Sequence, residues 1–339
     1  METRRTRGAG VGARAGWRRG QLVTVLRTVR GRVVPPAPAP APARAGGVGG
    51  EPTRSRVDGV ALAAAGARAA LPAGALDGLD DRRRAQVLAP LDVRAGRTVR
   101  WGTAAARQVD GTTCGAAVLG VLAAAGDPRL ALWLVSGRLP DGSRPPELDG
   151  LDLPEPADPH HPDAPTWFRT PDGRVVHASA TGEEAAAARW GLLQAALHRR
   201  STARAVAGVL PWPRSLGTPP WGAARLARFP GVRYRSVLVD DTRTAEVDDL
   251  LARVDAALDR GVPVPLYSGG DLSGGVAAAV PRHVVLAVGR TGDGYRVYEP
   301  GAGAVLPLPR AALLSPVGPV PALGHWPHLA WALLPTPTR

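Results

Sequence analysis

Apolar and polar positions alternate with two different periods along this chain. The first two thirds are dominated by helical spacing and the last third by short apolar runs. Residues 57–70 and 75–89 read as short helices with a Gly/Pro break between them, and 91–113 lack helical periodicity. From Cys114 a small, apolar run reads as a buried helix that stops near Gly126-Asp127-Pro128. A second apolar helix is expected over 129–136. Residues 181–209 carry another strong helical pattern, with Thr181 as candidate N-cap and Glu183 and Glu184 in the first turn.

From Val232 the character changes. Strands are expected at 232–239, 262–267, 283–289, 295–299, 304–308 and 329–334, the last closing the sheet. The run at 283–289 is continuously apolar, as in a strand buried on both faces. One helix interrupts the strands over 244–260, with Val247, Leu250, Leu251, Val254 and Leu258 on one face and Gly261 as its stop. Helices first and strands afterwards predict an α+β fold with an antiparallel sheet. We read 57–230 as its mainly helical part and 231–339 as its mainly β part.

The connections differ in kind. Residues 138–178 are rich in Pro, Asp and His and read as a long loop or insertion. The segment 210–222 is rigid with Pro and carries Trp212 and Trp221, so it suits either a packed cover or the wall of a cleft. Residues 268–280 are a Gly-rich loop. Residues 1–56 divide into an Arg-rich tail and a Pro/Ala then Gly linker, a composition that cannot form a packed core and is expected to be disordered.

Composition sharpens this division. The 339 residues include 42 basic side chains, all arginine, and a net charge of +13. Residues 1–56 hold twelve Arg and two Glu, which is +10, and leave +3 for the rest. The basic character belongs to the tail, whose functional alternative to a partnerless segment is a weak polyanion contact. The remainder is not the footprint of a specific nucleic-acid binder. A single cysteine excludes an internal disulfide and suits a reducing compartment. No apolar run reaches transmembrane length, and the Arg-rich start lacks a secretory apolar stretch, so a cytoplasmic location without membrane contact is expected. The sequence leaves the oligomeric state open.

Candidate chemistry centres on that cysteine. Cys114 stands at a helix start, where unpaired N–H groups and the helix dipole favour thiolate. Gln108 precedes it by six positions. His283, at the mouth of a core strand, is the best candidate base. Glu299, in Tyr-Arg-Val-Tyr-Glu-Pro-Gly, is the candidate acceptor on its other nitrogen. If 283–288 and 294–299 form a hairpin with the five-residue loop 289–293, positions 283 and 299 stand directly opposite each other. A loop one residue shorter would place them on opposite faces, unless a bulge restored the register. The plainer reading of a lone cysteine is a small buried hydrophobe. Asp158-Pro-His-His-Pro-Asp163, His325 and His328 are the remaining candidate metal ligands. Sequence neighbours rarely converge on one ion, so no metal and no cofactor is expected.

The spacing Gln, five residues, Cys-Gly and a helix, followed by His-Val-Val and Tyr-x-Val-Tyr-acid-Pro, resembles the papain-like cysteine peptidases. Within them it is most similar to the bacteriocin-processing, double-glycine-leader type of bacterial peptidase domain. The resemblance covers 107–126 and 262–310 well and 127–261 poorly. It implies the papain-like fold, with the nucleophile helix packed on the antiparallel sheet. It also implies roles: Cys114 as nucleophile, His283 as general base and then acid, and Glu299 as the orienting residue. Gln108 would share the oxyanion hole with the Cys114 N–H. Three departures stand out. The family usually has Asp or Asn at the position of Glu299, an acidic residue is frequent where this chain has Thr113, and 127–261 is longer than in compact members. No transporter is attached, which points away from peptide export.

Three functional classes follow. One is a cysteine peptidase or amide hydrolase working through an acyl-enzyme. The second is an acyl- or amine-transferring enzyme with the same triad, of the transglutaminase kind. The third is an inactive papain-like domain that binds a partner through its cleft. The substrate expected of the first two is a peptide or amide.

Overall fold

The structure is a computed structural model. It describes residues 70–151, 153, 167–169, 175–177, 183–206, 209–270 and 283–338, with backbone alone at 167–169 and 175–177. The Arg-rich tail and linker, nearly all of the expected helix 57–70, Thr181, the 158–163 motif and most of the Gly-rich loop lie outside the described residues.

Seven α-helices are found among the described residues: α1 (Asp81–Leu88), α2 (Cys114–Gly126), α3 (Pro128–Ser136), α4 (Glu183–Thr202), α5 (Pro220–Leu226), α6 (Thr244–Leu258) and α7 (Arg310–Leu314). Two short hairpins, β1 (Arg100–Trp101) with β2 (Ala104–Ala105) and β3 (Trp167–Arg169) with β4 (Val175–His177), stand apart from the main sheet. That sheet has six antiparallel strands: β5 (Val232–Leu238), β6 (Val264–Gly269), β7 (His283–Arg290), β8 (Gly294–Glu299), β9 (Ala304–Pro309) and β10 (His328–Pro337). Their spatial order is β5-β10-β6-β7-β8-β9. The fold is α+β with an antiparallel sheet, as the change of period predicts.

The core explains which elements form. Eleven of the thirteen residues of α2, Cys114 through Ala124, are buried, so this helix has no solvent face. It packs between α3, α4 and β7. Gly120 makes the approach to α4 possible, because a Cβ there would lie 2.8 Å from the Trp190 ring. Asp127 ends α2 and caps α3, accepting from the Arg129 N–H at 3.0 Å. On α6 the buried residues are the five predicted plus Ala257, and the helix packs against β6, β7 and β10.

Several sequence expectations are corrected. The 75–89 helix begins only at Asp81: Gly74 and Gly78 adopt positive φ, and Asp80 caps the shorter helix by accepting from the Arg83 N–H. The 181–209 helix ends at Thr202, whose carbonyl accepts from the Trp212 N–H as the chain folds back. The 210–222 loop contains the start of α5, with Pro220 at its first position. The 138–178 segment holds two short 3-10 turns and the β3–β4 hairpin. Strand β10 does not close the sheet. It inserts between β5 and β6, so β5 is the edge.

The β7–β8 hairpin also departs from the expected register. Its strands extend to Arg290 and from Gly294, leaving Thr291, Gly292 and Asp293 as the connection. The pairs Arg290↔Tyr295 and Gly289↔Arg296 are followed, after a bulge at Val288, by Ala287↔Val297 and Leu286↔Tyr298. Continued, that register sets Val285, not His283, across from Glu299. His283 lies two residues farther along, diagonal to Glu299 on the same face. Without the bulge, Leu286 would oppose Glu299 and His283 would face away.

Candidate active site

The loop before α2 is held from two sides. On the helical side, Trp190 Nε1 and Gln194 Nε2 of α4 both donate to the Arg107 carbonyl, at 2.6 and 3.0 Å, and the Val109 N–H donates to Gln194 Oε1 at 3.1 Å. On the sheet side, the Tyr298 hydroxyl donates to the Ala106 carbonyl at 2.5 Å, the Gln108 N–H to the Pro300 carbonyl at 2.9 Å, and Arg107 Nε to the Ala302 carbonyl at 3.1 Å. The segment leading to Cys114 and the turn following Glu299 are therefore stitched together directly.

Thr113 fixes the last turn of this loop. Its hydroxyl accepts from the Val109 and Asp110 N–H groups, both at 3.1 Å, and donates to the Asp110 carbonyl at 3.2 Å. It makes no side-chain cap to α2. The first N–H groups of the helix, beside Cys114, are thus left without a capping side chain, as an anion site at a helix N-terminus requires.

Cys114 opens α2 and His283 opens β7, and the two side chains are hydrogen-bonded. His283 Nε2–H donates to Glu299 Oε1 at 2.6 Å, which leaves Nδ1 as the ring nitrogen for the thiol. Glu299 is itself held by its own turn: the Gly301 N–H donates to Oε1 at 2.9 Å and the Ala302 N–H to Oε2 at 2.5 Å. Gly301 suits that turn because a Cβ there would press on the carboxylate at 3.1 Å. Cys114, His283 and Glu299 are 3%, 8% and 5% exposed, so water reaches this group only sparingly.

The electrostatics follow from that burial. Desolvation alone would lower the His283 pKa, but hydrogen bonds to Cys114 and Glu299 and their charges outweigh it and raise the value to about 9. Burial would raise the Glu299 pKa. The His283 hydrogen bond, the Ala302 and Gly301 N–H groups and the imidazolium charge prevail, and hold the carboxyl below its ordinary value. The phenols of Tyr267 and Tyr298 are pushed well above their usual range, first by burial. The charge of Cys114 adds to this at Tyr267, and the charges of Glu299 and Cys114 at Tyr298. They remain neutral walls around the group.

Gln108 belongs to the same loop, but its Nε2 donates to the Asp110 carbonyl at 2.9 Å, while its Oε1 is buried without a partner. The second N–H of that amide is not taken up by this bond. The Trp-bearing loop approaches the site through Thr218. Thr218 abuts the helix start so closely that a Cβ on Gly115 would lie 2.6 Å from the Thr218 Cβ. Trp212 and Trp221 pack edge-to-face on each other at 5.4 Å.

Sequence reasoning missed Trp190, Gln194 and His198 as parts of this region, and gave Thr113 no role beyond its place before the cysteine. His198 on α4 is buried near Asp110 and Arg214. Burial lowers its pKa against the pull of Asp110, and the Arg214 charge lowers it further. Only the spacing of Trp190 and Gln194, four apart on one helix face, hints at a shared target. His328 is paired with Asp241 at 2.9 Å, and no group of three or more metal-ligating side chains converges among the described residues. No single described helix is long and apolar enough to cross a membrane. No family model, curated protein or solved structure matches this chain.

Proposed function

We propose that this protein is a cysteine hydrolase acting on a peptide or amide bond through an acyl-enzyme. The observation that carries the reading is the shared imidazole: His283 bonds Glu299 through Nε2 and is also hydrogen-bonded to Cys114. That is the relay a buried thiol needs to become a nucleophile.

In this reading His283 takes the proton of Cys114 Sγ, and the thiolate adds to the substrate carbonyl carbon. The oxyanion forms at the N-terminus of α2, beside the Cys114 N–H and the free N–H of Gln108. The C–N bond breaks as His283 returns the proton to the leaving amine, leaving a thioester on Cys114. His283 then deprotonates a water that attacks the thioester, and the acid leaves as Sγ regains its proton. Glu299 holds the imidazole in the required tautomer and offsets its positive charge.

The test is alkylation of Cys114 by iodoacetamide against pH, in wild type and His283→Ala, alongside hydrolysis of an unspecific peptide amide library. The reading expects labelling at neutral pH that drops when the imidazole is removed, and cleavage that disappears in Cys114→Ala. Equal labelling in both proteins would defeat it.

A further inference from the structure

The turn at 320–326 crosses directly over the imidazole. Pro321–Leu323 is a 3-10 turn, and Gly324 follows at φ 65°, ψ 34°. A Cβ built on Gly324 would stand 2.3 Å from His283 Cδ2, 2.6 Å from Nε2 and 2.7 Å from Cγ. No side chain fits there while the ring occupies its place, so the glycine backbone itself forms the surface that the imidazole rests on.

The turn is anchored where such a surface must not yield. Ser268, fully buried and paired with His283 across β6–β7, donates its hydroxyl to the Leu323 carbonyl at 2.8 Å. The His325 N–H donates to the Val320 carbonyl at 3.0 Å, and Val320 bridges Trp326. Behind the turn, His328 is tied to Asp241. His325, at φ 64°, is the one non-glycine residue with positive φ among the described residues. Backbone strain of this kind persists where its surroundings over-determine it.

We infer that Gly324, fixed by the Ser268–Leu323 hydrogen bond, is a positioning residue for the proposed reaction. It packs on the face of the His283 ring over Cδ2 and so keeps the ring turned between Glu299 and Cys114. The inference rests on the reading of Cys114 and His283 as nucleophile and base. An imidazole free to rotate about its side-chain torsions would keep either bond but not both, and the thiol would lose its proton acceptor.

The experiment measures the iodoacetamide labelling rate of Cys114 from pH 5 to 10, with thermal midpoints, for wild type, Ser268→Ala, Gly324→Ala, His283→Ala and Gly324→Ala/His283→Ala. Gly324→Ala is expected to lower labelling at pH 7 by about tenfold, the size of a one-unit change in protonation balance. In the His283→Ala background the same substitution should change labelling by less than about twofold, because the ring it displaces is gone. Ser268→Ala, which leaves Gly324 intact, should lower the rate by about threefold, corresponding to one lost hydrogen bond of modest net worth. Equal effects of Gly324→Ala with and without the imidazole would overturn the clamp, as would wild-type labelling in a folded Gly324→Ala. If Gly324→Ala does not fold, Ser268→Ala decides: a wild-type pH profile there refutes the inference. Unchanged labelling in His283→Ala alone would instead overturn the nucleophile–base reading beneath it.

Discussion

Glu299 reaches His283 along a diagonal, not across a cross-strand pair. The β7–β8 register places Val285 opposite Glu299, yet Oε1 lies 2.6 Å from His283 Nε2. Diagonal neighbours on one face are about 7–8 Å apart at Cα, within reach of a long side chain. The length of the glutamate side chain, one methylene more than aspartate, matches this longer span.

A first prediction follows from that reach. Glu299→Asp keeps the charge but withdraws the carboxylate from the imidazole and from the Gly301 and Ala302 N–H groups. Its loss of kcat/KM is expected to be about 10²-fold, in the range of a disturbed acid–base group. Glu299→Gln, which keeps the length and loses the charge, should fall similarly. Full activity in Glu299→Asp, measured on any substrate that wild type cleaves, would mean that the diagonal reach has no part in function.

The pH dependence of stability gives a second. His283 is raised to about 9 in the folded protein, so its pairing stabilises fully below the ordinary imidazole value near 6.5 and is lost as pH rises through about 9. Glu299 is lowered, so its contribution is present above the ordinary carboxyl value and disappears as pH falls through the folded one. The thermal midpoint of wild type minus that of His283→Ala should therefore be largest around pH 5–6.5 and shrink steadily from pH 7 to 10. A difference independent of pH would show that the pair is not charged in the folded state.

Much of this site was legible in the sequence, for definite physical reasons. The start of α2 is marked by a change from polar loop to unbroken small apolar residues, and β7 by a continuous apolar run. Both boundaries fall on the candidate site residues Cys114 and His283. The parity of the hairpin was legible too, since only an even offset lets positions 283 and 299 share a face. The bulge at Val288 was not. It depends on how Gly289 and Arg296 pair near the turn, which periodicity does not encode. Gly324 was invisible because a glycine required by a ring about 40 positions away looks like any turn glycine. The end of α4 at Thr202 was misjudged because the pattern stays helical where tertiary hydrogen bonds turn the chain back.

A third prediction concerns the packing that sets the nucleophile helix. A methyl group at Gly120 would collide with the Trp190 ring at 2.8 Å, and Trp190 also anchors the Arg107 carbonyl in the loop before Cys114. Gly120→Ala is expected to destabilise the fold by about 1–3 kcal/mol through overpacking, despite the better helix propensity of alanine. It should also lower the labelling rate of Cys114 as the loop loses its anchor. A variant more stable than wild type by urea titration would show that the two helices have room to separate.

The last prediction tests the joint between the helical part and the strand that follows it. Arg228 donates through Nε and Nη2 to both oxygens of Glu147, at 2.7 and 2.6 Å, and through Nη2 to Asp127 at 2.8 Å. The two carboxylates raise the Arg228 pKa above its ordinary value despite burial. Glu147 is only 5% exposed, and Asp127 is also the N-cap of α3. Removing the guanidinium leaves a buried carboxylate with no compensating charge, which typically costs about 3–5 kcal/mol. Arg228→Ala should therefore unfold at markedly lower urea. Because the penalty lies in the stranded charge and not in the lost contact, Arg228→Ala/Glu147→Gln should recover part of it. If the double variant is as unstable as the single one, the bidentate pair contributes through packing of the arginine stem and not through charge compensation.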